Sequence, residues 1–374
     1  MAREQIRSAT HSYRALPTSC VTSALRTYRR ASGMLSAVCG TTGVHSNNVD
    51  RSRMRASEDQ LRLLALCKIK GVSWHFLARE AQRPDGLDRL YATASHERSA
   101  EASTGTALIA THWSDLDDLT AEASEEIRRG LDAGARLVTV VDDDYPENLR
   151  EVFNLPPFLF ILGSLEASDR RSIAVVGTRE ASPDGLRRAS RMARLLSKQG
   201  VTVVSGLARG VDTAAHVAAL DAGGRTIAVI GTGICRTFPA ENSALSNDMV
   251  ERGGAVVSQF WPHTPPASFT FPRRNVTMSG IAQGSLVIEA SQTSGAKMQA
   301  RLALEHGKKV FLIRSLIDQQ LWAQKYVRDR GAIPVDDIGD IITALRDDTQ
   351  RETGMVGDQF ELDLGELPSR VTRR

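Results

Sequence analysis

The chain has 374 residues, of which 41% are hydrophobic and 24% charged, and its formal net charge is +3. This composition excludes collagen-like and intrinsically disordered chains, and so small a charge does not by itself indicate a nucleic-acid partner. No window approaches the ~18 to 20 consecutive apolar residues that a membrane span needs. The four cysteines are scattered without zinc spacing, so we expect a cytoplasmic protein without a metal site. The length predicts two domains, and we expect no cofactor.

The N-terminal extension, residues 1–56, is rich in Arg, Ser and Thr, and it is nearly free of acids up to residue 53. It has no sustained apolar period, so we expect it to be disordered. Its composition also fits an organellar transit peptide, or an overlong gene model in which translation begins at Met34 or Met54 rather than at Met1.

Apolar residues recur at helical spacing over residues 57–82 and again over residues 116–133. The first stretch predicts two short helices joined near Gly71. We therefore expect a small all-α domain over residues 57–135. A strand follows at the start of the stretch 136–146, which ends in an acidic turn with a proline.

Short apolar runs alternate with amphipathic helical patterns over residues 136–346. This alternation predicts an α/β domain with a parallel-rich central sheet and helices on both faces. Strands are expected at 173–176, 201–204, 226–230, 255–258, 286–289 and 310–313, and helices at 186–196, 212–222, 244–252 and 296–305. The polar stretch 347–374 is too short for a winged-helix domain, and we interpret it as a tail.

Ligands of open parallel sheets bind beyond the carboxyl ends of the strands, where loops meet helix N-termini. Glycines follow three of the predicted strands at these places: Gly177 after the first, Gly206 after the second, and Gly231 with Gly233 after the third. They allow a ligand to approach the backbone closely, and this indicates an anion site. The alternative is that they only make tight turns.

Four arginines, Arg179, Arg209, Arg273 and Arg274, stand at or near predicted helix starts. The helix dipole disfavours a cation there unless an anion is present, so together they favour an anionic ligand. The alternative for any one of them is a salt bridge to Asp212 or Glu241.

Phe271 beside these arginines suits base stacking. The aromatics Phe238, Phe260, Trp261 and Phe269 are weaker candidates.

Asp212 and His216 are spaced i, i+4 and share one helix face. This spacing allows acid/base chemistry or half of a metal site. No second carboxylate, cysteine or nucleophilic serine pattern joins the pair, so we favour an N-terminal cap with a polar contact that holds the loop. We expect no catalytic residue and no metal site.

Several segments resemble the DprA/Smf family of DNA-processing proteins. They are Ile173-Ala-Val-Val-Gly-Thr-Arg179, Ser205-Gly-Leu-Ala-Arg-Gly-Val-Asp-Thr-Ala-Ala-His216, Phe238-Pro-Ala-Glu-Asn242 and Phe271-Pro-Arg-Arg-Asn275. The run from Ser205 to His216 is the most specific. The resemblance covers roughly residues 57–340, and the helices from residue 57 look like the family's small SAM- or HhH-like domain.

The resemblance implies an extended Rossmann-like fold and a non-catalytic homodimer that binds single-stranded DNA without sequence preference. It further implies that the protein protects incoming DNA in natural transformation or recombination and loads the recombinase RecA onto it, with no membrane partner. The DNA-contacting candidates that it implies are Gly177, Arg179, Ser205, Gly206, Arg209, Phe271, Arg273, Arg274, Asn275 and Lys297. Asp212, His216, Gly231 and Gly233 are the structural part of the motif.

The sequence departs from the family pattern at Val276 and Gln259, which stand where the family has arginine and glutamate. It departs again at 294–300 and at 314–322. A divergent paralogue, for instance in defence, and a sensor of a small nucleotide ligand therefore stay open. A dinucleotide-dependent oxidoreductase is disfavoured, because only one glycine follows the first strand before Gly185.

Overall fold

The computed structural model describes the backbone of residues 56–355 and the side chains of residues 56–346. The predictions for residues 1–55, including the choice of start codon, and for the tail beyond residue 355 lie outside the described residues. Of the helices in the described part of the chain, none is long and apolar enough to cross a membrane.

In the described residues, five helices precede the sheet and form an all-α segment. They are α1 (Glu58–Lys68), α2 (Trp74–Ala81), α3 (Gly86–Tyr91), α4 (Ala100–Thr111) and α5 (Leu116–Asp132), with a 3-10 turn at Trp113–Asp115. Ser57, Ser73 and Ser99 begin α1, α2 and α4, and each serine side chain accepts the backbone N–H three residues on. This contact satisfies one of the free N–H groups in a first helical turn.

The central sheet has nine strands in the described residues. They are β1 (Arg136–Thr139), β2 (Phe158–Gly163), β3 (Ser172–Val176), β4 (Thr202–Ser205), β5 (Thr226–Val229), β6 (Ala255–Ser258), β7 (Gly284–Val287), β8 (Lys309–Ile313) and β9 (Ile333–Val335). Their spatial order is β1-β2-β6-β5-β4-β3-β7-β8-β9. β2 pairs antiparallel with β1 and with β6, and the other pairs are parallel. Strands β3 to β7 are buried at every position, because helices cover both faces.

As far as residue 355, nine further helices connect or follow the strands: α6 (Glu147–Arg150), α7 (Pro183–Lys198), α8 (Val211–Asp221), α9 (Ser243–Glu251), α10 (Thr270–Ile281), α11 (Gly295–Glu305), α12 (Arg314–Gln319), α13 (Leu321–Arg330) and α14 (Ile338–Met355). Starting from β3, the strands β4 to β6 are added on one side of it in the sheet, and β7 to β9 are added on the other side. Because β-α-β crossovers are right-handed, α7 to α9 cover one face and α10 and α11 the other. The reversal leaves a crevice at the carboxyl ends of β3 and its neighbours, where such sheets bind ligands.

The predicted fold class is confirmed, and the six strands predicted within the core are present with ends shifted by at most two residues. The prediction missed β9, because Pro334 interrupts a three-residue run and proline is tolerated in a strand at the edge of a sheet. It also missed the strand β2 and the helices α3, α4, α6, α12, α13 and α14. The departure from the family pattern at 314–322 lies in α12 and the start of α13, and α14 continues to Met355, nine residues past the predicted end of the core.

The apolar core is continuous between the helical segment and the sheet. The ring centroids of Trp74 on α2 and Phe158 on β2 are 5.1 Å apart. Gly130 on α5 lies directly against Phe160 of β2, since a Cβ at Gly130 would be 2.4 Å from that ring. The division into domains at residues 135 and 136 stays a prediction.

Candidate nucleic-acid interface

A small cavity lies beyond the carboxyl ends of β3, β4 and β5. Its volume is about 80 Å³, and it is lined by Arg179, Gly206, Ala208, Arg209, Gly231, Phe238, Pro239, Phe271 and Arg274. Water occupies roughly 30 Å³ per molecule, so the cavity has room for a few waters or for one phosphate-sized group. Among the described residues, three arginines and no carboxylate line it, and this charge favours an anion.

A larger cleft, of about 460 Å³, lies between the helical segment and the loop after β1. Four aspartates, Asp59, Asp85, Asp88 and Asp143, line it beside its arginines. Arg62 contacts Asp59 and Asp88, and Arg150 donates to the carbonyls of Val140 and Asp142. The cleft therefore offers an anion less than the small cavity does.

Arg274 forms the floor of the small cavity. Its buried guanidinium donates to the carbonyls of Gly206, at 2.6 Å, and Val229, at 2.8 Å. Burial lowers the pKa of Arg274, and its Nε has no hydrogen-bond partner among the described residues. A Cβ at Gly206 would lie 1.7 Å from Nη1 of this arginine, so only glycine leaves room for the guanidinium.

Asp212 holds the loop that follows β4. Its carboxylate accepts the backbone N–H groups of Gly206, at 3.1 Å, and Ala208, at 3.3 Å. It lies inside the first turn of α8 and is not the cap residue, a position that Gly210 occupies. Burial raises the pKa of Asp212, and the charge of Arg274 opposes this shift.

His216 does not act with Asp212, although both lie on one face of α8. Its Nδ1 is 2.7 Å from the hydroxyl of Thr226, which itself donates to the Val203 carbonyl. The imidazole therefore donates from Nδ1, which leaves Nε2 unprotonated and without a partner among the described residues. Burial lowers the pKa of His216 to about 3, so the ring is neutral at physiological pH.

Arg179 and two phenylalanines form the rim of the cavity. The guanidinium carbon of Arg179 lies 5.1 Å from the ring centroid of Phe271, within the range of a cation–π contact. The ring of Phe238 is 5.9 Å from that of Phe271, and Gly231 lies beneath Phe271, where a Cβ would be 2.7 Å from the ring. Phe238 is an exposed aromatic of this rim, ranked behind Phe271 in the prediction.

Arg209 lines the cavity but is paired within the protein. It donates to both carboxylate oxygens of Glu241, at 2.6 and 2.9 Å. This bidentate contact raises the pKa of Arg209 and lowers that of Glu241. The salt bridge to Glu241 that the sequence left open as an alternative is therefore present, and both partners are exposed.

Arg273 points away from the cavity. Its guanidinium carbon lies 4.9 Å from the ring centroid of Trp74 on α2 and 5.8 Å from that of Phe260. The side chain is half-buried, and burial lowers its pKa. The four arginines thus do not converge on one point, because Arg273 and Arg274 extend from α10 in different directions.

Three other residues were predicted to contact DNA. Two of them are buried within the fold, and one lies outside the cavity. The buried Ser205 hydroxyl donates to the Val175 carbonyl at 2.7 Å. Asn275 is buried on α10. Lys297 donates to the Gln292 carbonyl at 3.3 Å and lies over Trp322, so it does not line the cavity.

Two of the predicted glycines pack against the protein itself. A Cβ at Gly177 would be 2.3 Å from the Val211 side chain, and one at Gly233 would be 2.1 Å from the Trp261 carbonyl. At these positions the tight-turn alternative describes the contacts better than ligand approach does.

Sequence reasoning missed Glu289 and Trp74. Glu289 follows β7 and accepts the hydroxyl of Ser182, the cap residue of α7, at 2.8 Å, which fixes the loop after β7 to the start of α7. It stands at the end of an apolar run, and that position could have indicated it. No local signal places Trp74 beside Arg273, because the contact joins residues about two hundred positions apart.

The family model for DNA recombination-mediator protein A matches residues 136–346. The chain belongs to this family. The resemblance to the DprA/Smf family that the motifs predicted is thereby confirmed. Protein Smf of Escherichia coli is 41% identical over 177 residues, which are 47% of this chain and 47% of that protein. The chain spans about half the length of that relative.

Two solved structures of the DprA family share the fold. DNA processing protein A of Streptococcus pneumoniae superposes with a TM-score of 0.60 at 29% identity, over 76% of this chain and 97% of that one. The Helicobacter pylori protein, described for its single-stranded DNA binding mode, superposes with a TM-score of 0.51 at 23% identity. The second match covers 58% of this chain and 98% of the other.

Proposed function

We propose that this chain binds single-stranded DNA without sequence preference and acts in DNA recombination or natural transformation as a mediator, not as an enzyme. The observation that carries the proposal is the small cavity at the strand ends, where Arg179 and the buried Arg274 meet beside the Phe271 ring. Membership of the recombination-mediator family supports the same conclusion.

In the proposed complex, one backbone phosphate enters the cavity between Arg179 and Arg274. The charge of the buried Arg274 lies at the floor of the cavity, in a site that is already partly desolvated, where a charge-assisted contact to a phosphate is strong. Contacts to phosphates position a nucleic acid without reading its sequence. A single phosphate matches the cavity volume of about 80 Å³.

A base next to that phosphate stacks on the rim formed by Phe271 and Phe238. Every base has a π face, so stacking contributes affinity of about 1 to 3 kcal/mol per base without sequence preference. The rings of the two phenylalanines are 5.9 Å apart and tilted by 47°, and Phe238 is exposed. This exposure leaves room for a base from solvent.

The absence of catalysis is also part of the proposal. The two residues of the motif with acid/base chemistry are engaged separately, since Asp212 holds the loop after β4 and His216 contacts Thr226. A neutral, fully buried imidazole with a pKa of about 3 is poorly matched to general acid/base work near pH 7.

Loading of RecA, homodimer formation, protection of incoming DNA and a cytoplasmic location complete the proposal. They rest on membership of the family. Their test is a strand-exchange assay with RecA and a measurement of the oligomeric state of the full chain.

A small-nucleotide sensor is the second candidate that the sequence left open. Cavities that enclose such ligands measure about 300 to 1,000 Å³. The cavity here, of about 80 Å³, would hold the phosphate and leave the sugar and base on the surface. We therefore expect a mononucleotide to compete with single-stranded DNA only weakly, and tight saturable mononucleotide binding would favour the sensor instead.

The test is fluorescence anisotropy of a labelled oligo-dT with the full chain across a series of salt concentrations. The logarithm of the binding constant should fall linearly with that of the salt concentration, by about 0.7 for each phosphate neutralised. Arg179→Ala should reduce the slope by about one phosphate. Arg252→Ala is the matched control, because this exposed arginine directly follows α9, at the opposite end of the strands.

Phe271→Leu should weaken binding roughly 5- to 100-fold without changing the salt slope, because stacking releases no counterions. The matched control is Phe153→Leu, since Phe153 is exposed and contacts His306 away from the cavity. Failure of the unsubstituted chain to bind at low salt would refute the proposed function.

A further inference from the structure

Arg273 extends from α10 toward the helical segment, and the cavity does not account for its position. Its guanidinium carbon lies 4.9 Å from the ring centroid of Trp74 on α2. A cation within about 6 Å of a ring centroid, over its face, is attracted by the negative potential of that face. The helical segment therefore contacts an arginine that leaves the same helix as the cavity residue Arg274.

Trp74 is itself held in one orientation. Its indole N–H donates to the Cys67 carbonyl at 2.9 Å. Its ring centroid is 5.1 Å from that of Phe158 and 5.7 Å from that of Trp261, whose plane is nearly perpendicular to it. With a hydrogen bond and two aromatic neighbours, this ring is a fixed platform for the guanidinium.

Arg273 lacks a counter-charge among the described residues. It is half-buried and forms no ion pair with any described carboxylate. The acid near its neighbour His75 is Glu101, and that carboxylate pairs with Arg79. Arg79 contacts Glu97 at 2.8 Å and Glu101 at 2.6 Å. A partly desolvated cation without a partner is unfavourable, and an anionic ligand would supply the missing charge.

We propose that Trp74 is a positioning residue that holds Arg273 for a second phosphate of single-stranded DNA, so that the helical segment takes part in binding. This inference rests on the proposed function and extends its site beyond the cavity. The fixed ring limits the rotamers of Arg273 before binding, and less side-chain entropy is then lost when the phosphate arrives.

A double-mutant cycle tests this role with the full chain and labelled oligo-dT. Arg273→Ala should weaken binding and reduce the salt slope by about 0.7, the value for one phosphate. Trp74→Leu should weaken binding roughly 3- to 10-fold, and Trp74→Phe, which keeps an aromatic face, should restore most of the loss. Trp74→Leu combined with Arg273→Ala should bind no more weakly than Arg273→Ala alone.

Trp113→Leu is the matched control, since Trp113 contacts Tyr91 elsewhere in the helical segment. It should leave binding unchanged. Additive losses for Trp74→Leu and Arg273→Ala, or unchanged binding by a folded Trp74→Leu, would overturn the inference while leaving DNA binding itself intact. If Trp74→Leu lacks a cooperative melting transition, the same cycle with Trp74→Met decides, because methionine fills more of the space without an aromatic face, and the effect of Arg273→Ala must be smaller in that background.

Discussion

Replacement of the buried Arg274 by methionine should destabilise the fold as well as alter the cavity. The guanidinium satisfies the carbonyls of Gly206 and Val229, at 2.6 and 2.8 Å. Methionine is shorter than arginine but has a similar side-chain volume, so Arg274→Met leaves little empty space but removes the donor to both carbonyls. It also removes the positive charge that opposes the raised pKa of the buried Asp212.

The expected cost follows from these contacts. A buried polar group without its partner costs about 1 to 3 kcal/mol, so two carbonyls together cost about 2 to 6 kcal/mol. Burial lowers the pKa of Arg274, which means that its charge is itself unfavourable inside the fold, so removal of the charge offsets part of the cost. We expect a net loss in the free energy of unfolding of about 3 kcal/mol. At about 2 to 4 °C per kcal/mol for a large domain, the melting temperature should fall by about 6 to 12 °C.

The assay is thermal and urea unfolding of the full chain, with Arg252→Met as the exposed control. Without Arg274, the folded-state pKa of Asp212 rises further above its unfolded value, and the native state then binds more protons than the unfolded state does. The stability of Arg274→Met should therefore fall as pH rises above about 4, and Asp212→Asn should recover part of the loss near pH 7. A melting temperature within 1 °C of the unsubstituted chain would refute this account of Arg274.

Three further predictions concern other residues of this region. Gly206→Ala should lower stability by about 1 to 3 kcal/mol in urea unfolding, because its Cβ would lie 1.7 Å from the neighbouring guanidinium. Gly295→Ala, with nothing within 4 Å, is its control, and equal stability of the two variants would contradict the argument. Glu241→Gln should tighten oligo-dT binding roughly two- to five-fold in the anisotropy assay, because Arg209 loses its exposed carboxylate partner and is free for a phosphate. An unchanged dissociation constant would show that Arg209 does not exchange Glu241 for a phosphate. The folded-state pKa of His216, about 3, lies below the unfolded value of about 6.5. Its neutral form therefore contributes stability that is lost as the pH falls below about 6.5. The loss between pH 7 and pH 4 should be about 3 kcal/mol. His216→Gln should flatten that pH dependence in urea unfolding, and an unaltered slope would show that the imidazole is not its source.

The course of the chain through the sheet could be predicted because its signals are local. Apolar runs of four or five residues followed by helical periods placed β3 to β8 within two residues. Glycine loops after the strands identified the end of the sheet that carries the cavity. Both patterns arise from backbone geometry, since parallel strands bury both faces and their carboxyl ends meet at one side.

The partners of the charged side chains could not be predicted in the same way. Arg273 and Arg274 are consecutive, yet a helix turns by about 100° per residue, so one reaches the helical segment and the other reaches β5. Arg209 and Glu241 are 32 positions apart and meet only because α8 and α9 are neighbours. Ser205 was predicted to follow its strand but is the last residue of β4, and its hydroxyl is taken by the adjacent strand.

The sequence by itself therefore determined the α/β class, the family and the loops that surround the cavity, because periodicity, glycine placement and a specific motif are all read along the chain. Only the tertiary structure decided which arginines face the cavity, which is buried, and which lies against Trp74. The physical reason is that the burial and pairing of a side chain depend on elements brought together from distant positions. In this protein the strands, and not the motif itself, bring Arg274, Asp212 and Phe271 to one place.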